Sequence, residues 1–489
     1  MKRIFSVIKK ESSSVIAFCV LAIILISLLL LDVEKDAFSA TFRWVCISTR
    51  EFVGFSTVFC LLVLLFVVCS KYGNIKLGGK DAKPEYSNIS WFSCLVMAGM
   101  GIGLIFYCQE PLYHLYSNPY VDHVSGAPEE IAYSLTLYDW AFNVWGLYGL
   151  LGLIIAYFYY NKRRDLKLSS ALPARTKAWV KRTIDILMAL GIIAGLTTSL
   201  GLGVAQLKSG IDYVFDVNAN PYLLMLVVGL VATWSVRSGL KKGVKWLSNI
   251  AFACVFLLLT TVIILSHIKL GVSDFVGYTF SGLVNFTQNY ILYNDYWNEA
   301  SDNWAASWPI FYQLWFAAWA AFVAVFVAKI SKGRTVREFV IAVVILPSVF
   351  TAVWFGIFGC VGLPIRDELY SLMQENVPQS VFFLFSKLAS SWGYIALSIL
   401  VLVTICLFFI TSSDSSSYVV AAILSDDKNV RSFNKIAWSL VQTFAAMVLF
   451  YCGGLSLIQS ASVVLGLVVL LIIILGSIYF IYVLRKDEK

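Results

Sequence analysis

Charge is scarce in this sequence. Aspartate, glutamate, lysine and arginine make up 13% of the 489 residues, against 59% hydrophobic residues. A soluble chain of this length would divide into several domains with about a quarter of their residues charged. Histidine is rarer still. His114, His123 and His267 fall near the ends of apolar runs, without the spacing of metal ligands. The ten cysteines are scattered and form no CxxC pair, so they read as small apolar packing residues. No nucleophile, base and orienting group fall into a catalytic pattern, which argues against an enzyme. No linker or soluble domain interrupts the chain. No small-residue cleavage site follows the first apolar run, so that run is not read as a removed leader.

What is abundant is long apolar blocks, such as SVIAFCVLAIILISLLLL at 14–31 and VVLGLVVLLIIILGSIYFIYVL at 463–484. A block of about 20 residues crosses a hydrocarbon core of roughly 30 Å as a helix, the form that satisfies its backbone there. Twelve such spans are expected, at 14–32, 52–70, 90–115, 131–160, 183–209, 221–236, 244–267, 305–329, 337–362, 391–424, 433–453 and 457–484. The tenth is overlong and is expected to break in its second half. The chain is thus an all-α membrane protein in one transmembrane domain, 1–489.

Lysine and arginine orient it. Of the 37, 30 lie in the two tails and alternate loops and 7 in the other loops. The basic side faces the cytoplasm, so both termini are expected inside a cell membrane. The formal net charge of +8 is a topology signal dispersed over short loops, not a nucleic-acid surface. The sizeable loops, 268–304 and 363–390, lie outside. Trp91, Trp179, Trp246, Trp304, Trp308 and Trp392 lie near span ends and read as interfacial anchors.

Span three carries AGMGIGLIF, with Gly99, Gly101 and Gly103 on alternate residues. Glycine at that spacing is costly inside a helix. Close helix packing favours a four-residue spacing instead. The alternative is a locally unwound helix whose freed carbonyls bind an ion at mid-membrane. Span eight runs opposite to span three, five helices later. That polarity suits two inverted halves, spans 3–7 (90–267) and 8–12 (305–484). Two accessory spans precede them in 1–89, and a short tail follows at 485–489. Trp140, Trp145, Gly101, Trp315 and Trp319 lie nine to fourteen residues into their spans. At about 1.5 Å per residue they fall roughly 13–21 Å deep, near the bilayer centre. Tryptophan prefers the interface, so a central cluster needs another cause.

The motifs AGMGIGLIFYCQEP (98–111), SLGLGVAQLKSG (199–210), SGLKKGVKWLSN (238–249), FVAKISKGRTVREF (326–339) and FFITSSDSSSYVV (408–420) occur in order. With them the chain resembles the betaine/carnitine/choline transporter family over nearly its whole length. The resemblance implies a leucine-transporter-type 5+5 inverted repeat, alternating access, often a homotrimer, and a quaternary ammonium substrate. Such a cation cannot donate ordinary N–H bonds and suits the negative faces of aromatic rings. The family positions match Trp140, Trp145 and Tyr148 in span four, and Trp315, Phe316 and Trp319 in span eight, with Gly101 and Gly103 beside them. Otherwise these aromatics would be lipid-facing or core residues.

Departures from the family pattern stand beside the matches. Phe316 and Gln313 occupy positions where tryptophan is usual, and Ala320-Ala321 replaces a helix-breaking pair, so span eight is expected to be straighter. Asp139 stands where many members have histidine. An ionised aspartate at that depth costs several kcal/mol unless paired or solvated. A cationic substrate would offset the cost and favour choline over glycine betaine; alternatively Asp139 pairs with a polar neighbour.

For the coupling ion, the resemblance implies sodium held by Met97 and Met100 carbonyls with Phe408, Thr411 and Ser412; the alternative for the two hydroxyls is bonding within their own helix. SNIAFACVF lacks the arginine of sodium-independent exchangers. GIIAGLTT at 191–198 matches a second sodium site imperfectly, with Leu196 where a ligand is expected. Asp414 reads as a partner of the span-ten break rather than a proton relay. No resident cofactor is implied. The C-terminal extension linked to osmotic sensing has no counterpart in RKDEK. Rival functions are sodium-independent or proton-coupled exchange of carnitine-like compounds, and a sensor that binds without transport.

Overall fold

The computed structural model describes residues 12–30, 35–99, 101–120, 123–238, 243–294, 302–425 and 430–487. Nine helices among them are long and apolar enough to cross a membrane, and Pro221–Arg237 is a shorter apolar helix. The described residues form helices and loops, with one isolated β-bridge between Lys76 and Thr335. Of the most apolar windows, 94% is buried in Pro128–Tyr160 and Trp304–Ile330, against 17% in Ser12–Leu30. The first pair therefore forms the centre of the molecule, and Ser12–Leu30 lies at its edge.

Breaks in the helices place the site. The third span divides into Asn88–Gly99, Gly103–Phe106 and Glu110–Ser117, with Gly101 and Ile102 outside regular helix. The fourth divides at Ala141 (φ −100°, ψ −118°), between Pro128–Trp140 and Phe142–Tyr160. No glycine or proline marks that point. The Asn143 side chain donates to the Tyr138 carbonyl at 2.9 Å and bridges the break. Pro309–Ile330 is continuous, as the alanine pair led us to expect.

The tenth span, Trp392–Leu424, is continuous too, which corrects the expected break. Ser416 and Ser417 find partners without one, while the Ser413 hydroxyl is buried with no partner among the described residues. Ser416 donates to the Ser413 carbonyl at 3.1 Å, and Ser417 donates to Gln442 Oε1 at 3.0 Å. Asp414 accepts from Ser235 at 3.2 Å, so it ties two helices together rather than capping a break. The last two expected spans meet end to end within Ser432–Lys486, where Gly454 (φ 62°) turns the chain. The stretches 268–304 and 363–390 contain helices of their own, Phe275–Asn289, Arg366–Asn376 and Ser380–Leu388.

The segment 331–338 clasps the loop that precedes span three. Leu77 N–H donates to the Arg334 carbonyl at 2.9 Å, and Gly333 N–H donates to the Leu77 carbonyl at 2.8 Å. Gly333 (φ 78°) lies so close to Lys83 that a Cβ would come within 2.3 Å of its backbone. Arg334 donates to Asn88 and to the Tyr86 carbonyl and covers the Trp91 ring at 4.4 Å. Trp91 is therefore a packed interior residue, not an interfacial anchor. Trp179, Trp246 and Trp392 remain 64–82% exposed, as anchors would be.

Candidate functional site

The third-span break is lined by aromatic rings from two helices. A Cβ on Gly99 would lie 2.4 Å from the Trp145 ring, and one on Gly103 2.5 Å from the Trp140 ring and 3.2 Å from Trp315. Around Gly101, between them, no heavy atom of the described residues beyond its chain neighbours lies within 4 Å of that position. The two glycines thus let indoles press against the unwound backbone, and Gly101 opens onto free space. The rings form a chain: Trp145 meets Tyr148 edge-on at 5.4 Å, Tyr148 meets Phe316 at 6.3 Å, and Phe316 meets Trp140 at 5.4 Å. Trp315 stacks on Phe316 at 5.1 Å and meets Trp140 edge-on at 6.4 Å. All five are buried.

Three further rings join this cluster that the sequence did not single out. Tyr312, Tyr107 and Phe355 lie 5.0, 6.1 and 5.4 Å from Trp140. Trp319 turns the other way, toward Gly195 and Phe322, and among the described residues no ring contact joins it to Trp140, Trp145 or Trp315. Trp319 thus stands apart from the other rings expected in the box. It packs instead against Gly195 of the fifth-span helix Ala178–Phe215. Gln313 faces helix Lys35–Cys69, where Thr57 donates to it at 3.4 Å. The indole N–H groups of Trp315 and Trp319 are buried without an acceptor.

Behind Trp140 lies a polar cluster that no residue spacing announced. Glu110 accepts from Trp140 Nε1 at 3.0 Å and from the Tyr312 hydroxyl at 2.8 Å, and His114 Nε2 lies 3.3 Å from its other oxygen. One carboxylate therefore fixes a ring from each of the two central helices. His114 Nε2 also lies 3.6 Å from Asp139. Asp139 thus has a polar neighbour, though too distant for a hydrogen bond, and neither of its oxygens has a hydrogen-bond partner. Glu110, His114 and Asp139 are all fully buried. Trp308 and Trp304 cover the histidine, with ring centroids 4.8 and 5.5 Å away, so they too are packing residues rather than anchors. The missed signal was an ionisable Glu110 and His114 within an apolar span. One ligand-type atom from each of the three lies within 4.8 Å of the others. Yet His114 Nδ1 lacks the acceptor that orients a metal-bound imidazole, and Glu110 is committed to its donors.

A family model described as betaine/carnitine/choline family transporter (BCCT) matches residues 13–489. The chain belongs to the betaine/carnitine/choline transporter family. This family member is therefore a multi-pass membrane transporter of small molecules, not an enzyme. It is 33% identical to a glycine betaine transporter of Acinetobacter baylyi, over 95% of this chain and 72% of that one. It is 32% identical to a glycine betaine/proline/choline/ectoine transporter of Vibrio parahaemolyticus, over 97% and 86%. An ectoine/hydroxyectoine transporter of Virgibacillus pantothenticus is 31% identical, over 89% and 90%.

The expected ion ligands in this transporter are placed as follows. Thr411 donates to the carbonyls of Leu407 (2.9 Å) and Phe408 (3.1 Å), within its own helix. Ser412 and Phe408 are buried beside it. Met97 belongs to Asn88–Gly99, and Met100 lies outside the described residues, as do 239–242 of the SGLKKG motif. At the imperfect second site, Thr198 shares its hydroxyl with Ser462 (2.6 Å) and the Ala194 carbonyl (3.1 Å), committing it to helix packing.

Proposed function

We propose that this transporter imports a quaternary ammonium compound such as choline or glycine betaine, by sodium symport with alternating access. The observation that supports it best is the chain of buried rings Trp145–Tyr148–Phe316–Trp140, whose two indoles press on the unwound backbone at Gly99 and Gly103. Several aromatic faces attract a desolvated methylated cation by about 0.5–2 kcal/mol each. The buried, unpaired Trp315 indole N–H supplies a donor for a hydroxyl or carboxylate on the same substrate. Asp139, without a hydrogen-bond donor of its own, favours the net cation choline over the zwitterion betaine.

The architecture that goes with this reading is twelve spans in a leucine-transporter-type inverted repeat, with two accessory helices, in the cell membrane. Both termini are cytoplasmic, on the strength of the lysine and arginine bias, and family resemblance makes the assembly a homotrimer. Sodium binds between the third-span break and span ten, with Met97, Met100, Phe408, Thr411 and Ser412 as ligands; Thr411 then gives up a bond to its own helix.

Uptake of labelled choline into liposomes carrying the purified protein tests this. Accumulation is expected under an inward sodium gradient, and replacing external sodium by potassium should abolish it. Undiminished uptake in potassium would refute sodium coupling. Glycine betaine competing as well as choline would refute the preference. Binding without uptake would make the protein a sensor.

A further inference from the structure

Glu110 and Asp139 sit in the same buried cluster but are treated very differently by their surroundings. Glu110 accepts hydrogen bonds from Tyr312 and Trp140 at 2.8 and 3.0 Å, and His114 Nε2 lies 3.3 Å from its other oxygen. Asp139 has no partner within hydrogen-bond distance among the described residues, and it is fully buried in the same cluster. A second bare carboxylate there would cost several kcal/mol. The single Nε2 position of His114 faces both acids, at 3.3 and 3.6 Å, and one N–H cannot serve both. The other imidazole nitrogen, Nδ1, is buried without a partner beneath the Trp304 and Trp308 lid. This is the arrangement of a proton-carrying acid with a histidine relay beside it.

Asp139 is also the residue next to Trp140, whose ring forms part of the substrate box. Resting on the quaternary ammonium reading, we propose that Asp139 binds a proton that competes with the substrate's cationic head, with His114 as its relay. A cation that reaches Trp140 stabilises the ionised carboxylate, so the O–H bond of Asp139 breaks. His114, in the tautomer whose hydrogen sits on Nδ1, accepts that proton at Nε2 once the 3.6 Å gap to Asp139 closes, and gives up its Nδ1 hydrogen as a proton to solvent. When the cation leaves, Asp139 takes up a proton again. Charge in the cluster thus stays nearly constant through the cycle.

The other ionisable groups around Asp139 do not replace this role. Pro309–Ile330 brings Tyr312, committed to Glu110. Glu110–Ser117 adds Tyr113, whose ring lies against His114 and Trp308. Phe142–Tyr160 brings Tyr148 to the box. Phe275–Asn289 and Leu346–Gly362 bring Tyr278 and Cys360, with Tyr278 packed on Tyr133 rather than on Asp139. On the helix that carries Asp139, Glu129 pairs with Arg366 at 3.2 Å and Glu130 caps Ala127 at 3.1 Å.

Choline binding to the purified protein in weakly buffered solution, followed with a pH-sensitive dye, tests the assignment. About one proton should be released per choline bound, and affinity should weaken toward a limit of about tenfold per unit as pH falls from about 8 to 5. Asp139→Asn, nearly isosteric, should abolish both the release and the pH dependence. His114→Gln should keep the stoichiometry and slow the release. Choline binding with no proton released overturns this inference alone. Absence of choline binding refutes the quaternary ammonium reading instead. In that event infrared difference spectra of the ligand-free protein decide: a protonated-carboxyl stretch lost in Asp139→Asn upholds the site, and its absence from the unsubstituted protein overturns it.

Discussion

Gly101 and Gly103 are indistinguishable in the sequence and have opposite surroundings in the fold. A methyl group on Gly103 would meet Trp140 at 2.5 Å, so Gly103→Ala must displace the indole. Overpacking of that kind costs about 1–3 kcal/mol. Gly103→Ala should therefore lower the thermal midpoint and weaken substrate binding together. Gly101→Ala meets no atom of the described residues beyond its chain neighbours within 4 Å, so the fold should be unaffected, while its methyl group enters the space that the proposed function gives to substrate. We expect an unchanged thermal midpoint with choline affinity reduced by roughly ten- to a hundredfold, the equivalent of about 1–3 kcal/mol. A thermal shift assay paired with a choline titration separates the two cases. Equal behaviour of the two variants would contradict the placement of the box at Gly101. The same contrast runs through the acids: Glu110 is a fixed anchor for two rings, whereas Asp139, one residue from Trp140, is left free to respond to charge.

At the scale of elements, the long apolar blocks fixed where the helices run, and the alternating glycines marked the unwound stretch of span three. Other breaks had no such signal. The fourth span is interrupted at Ala141 because Asn143 reaches back to the Tyr138 carbonyl, a substitution of side chain for backbone that no propensity reveals. In the tenth span, which stays whole, Ser416 and Ser417 are satisfied where they stand. Depth put Trp140, Trp145, Trp315 and Trp319 at one level and the family resemblance added Tyr148 and Phe316, but neither could show which way Trp319 turns. Trp304 and Trp308 lie near a span end, as anchors do, yet a buried histidine claims their faces. The serine run of span ten also gives a prediction. Ser417 donates to Gln442 at 3.0 Å, both buried. Gln442→Leu should orphan that hydroxyl and cost about 1–3 kcal/mol. Combined with Ser417→Ala, much of the loss should be recovered, since the pair is then apolar on both sides. Additive losses in the two thermal midpoints would show that the bond does not couple the helices.

Across the whole molecule, the final helix Ser432–Lys486 packs against Ala178–Phe215, Pro309–Ile330 and Lys35–Cys69, so it touches both proposed halves. Its end is tied to the fourth span. Lys162 and the Tyr157 hydroxyl both donate to the Asp487 carboxylate. Partial burial alone would raise the acid of Asp487; the bonds from Lys162 and Tyr157 outweigh it and hold the carboxyl below its ordinary range. A lowered carboxylate contributes stability that is present above its unfolded value, about 3.9, and is lost as pH falls through the lower folded value. The tie should thus be intact at about pH 7 and at about pH 5. It should vanish only in strong acid. Asp487→Asn removes the charge at every pH, so the last turns of the helix should exchange their amide hydrogens faster than in the unsubstituted protein at pH 7. The two proteins should become alike below the ordinary carboxylate range. Because the Lys162 pair is about one-third exposed, the gap at pH 7 should narrow in high salt. Identical exchange at pH 7 in low salt would show that the helix end is held by packing, such as that of Tyr157 on Phe480 at 5.4 Å, and not by charge.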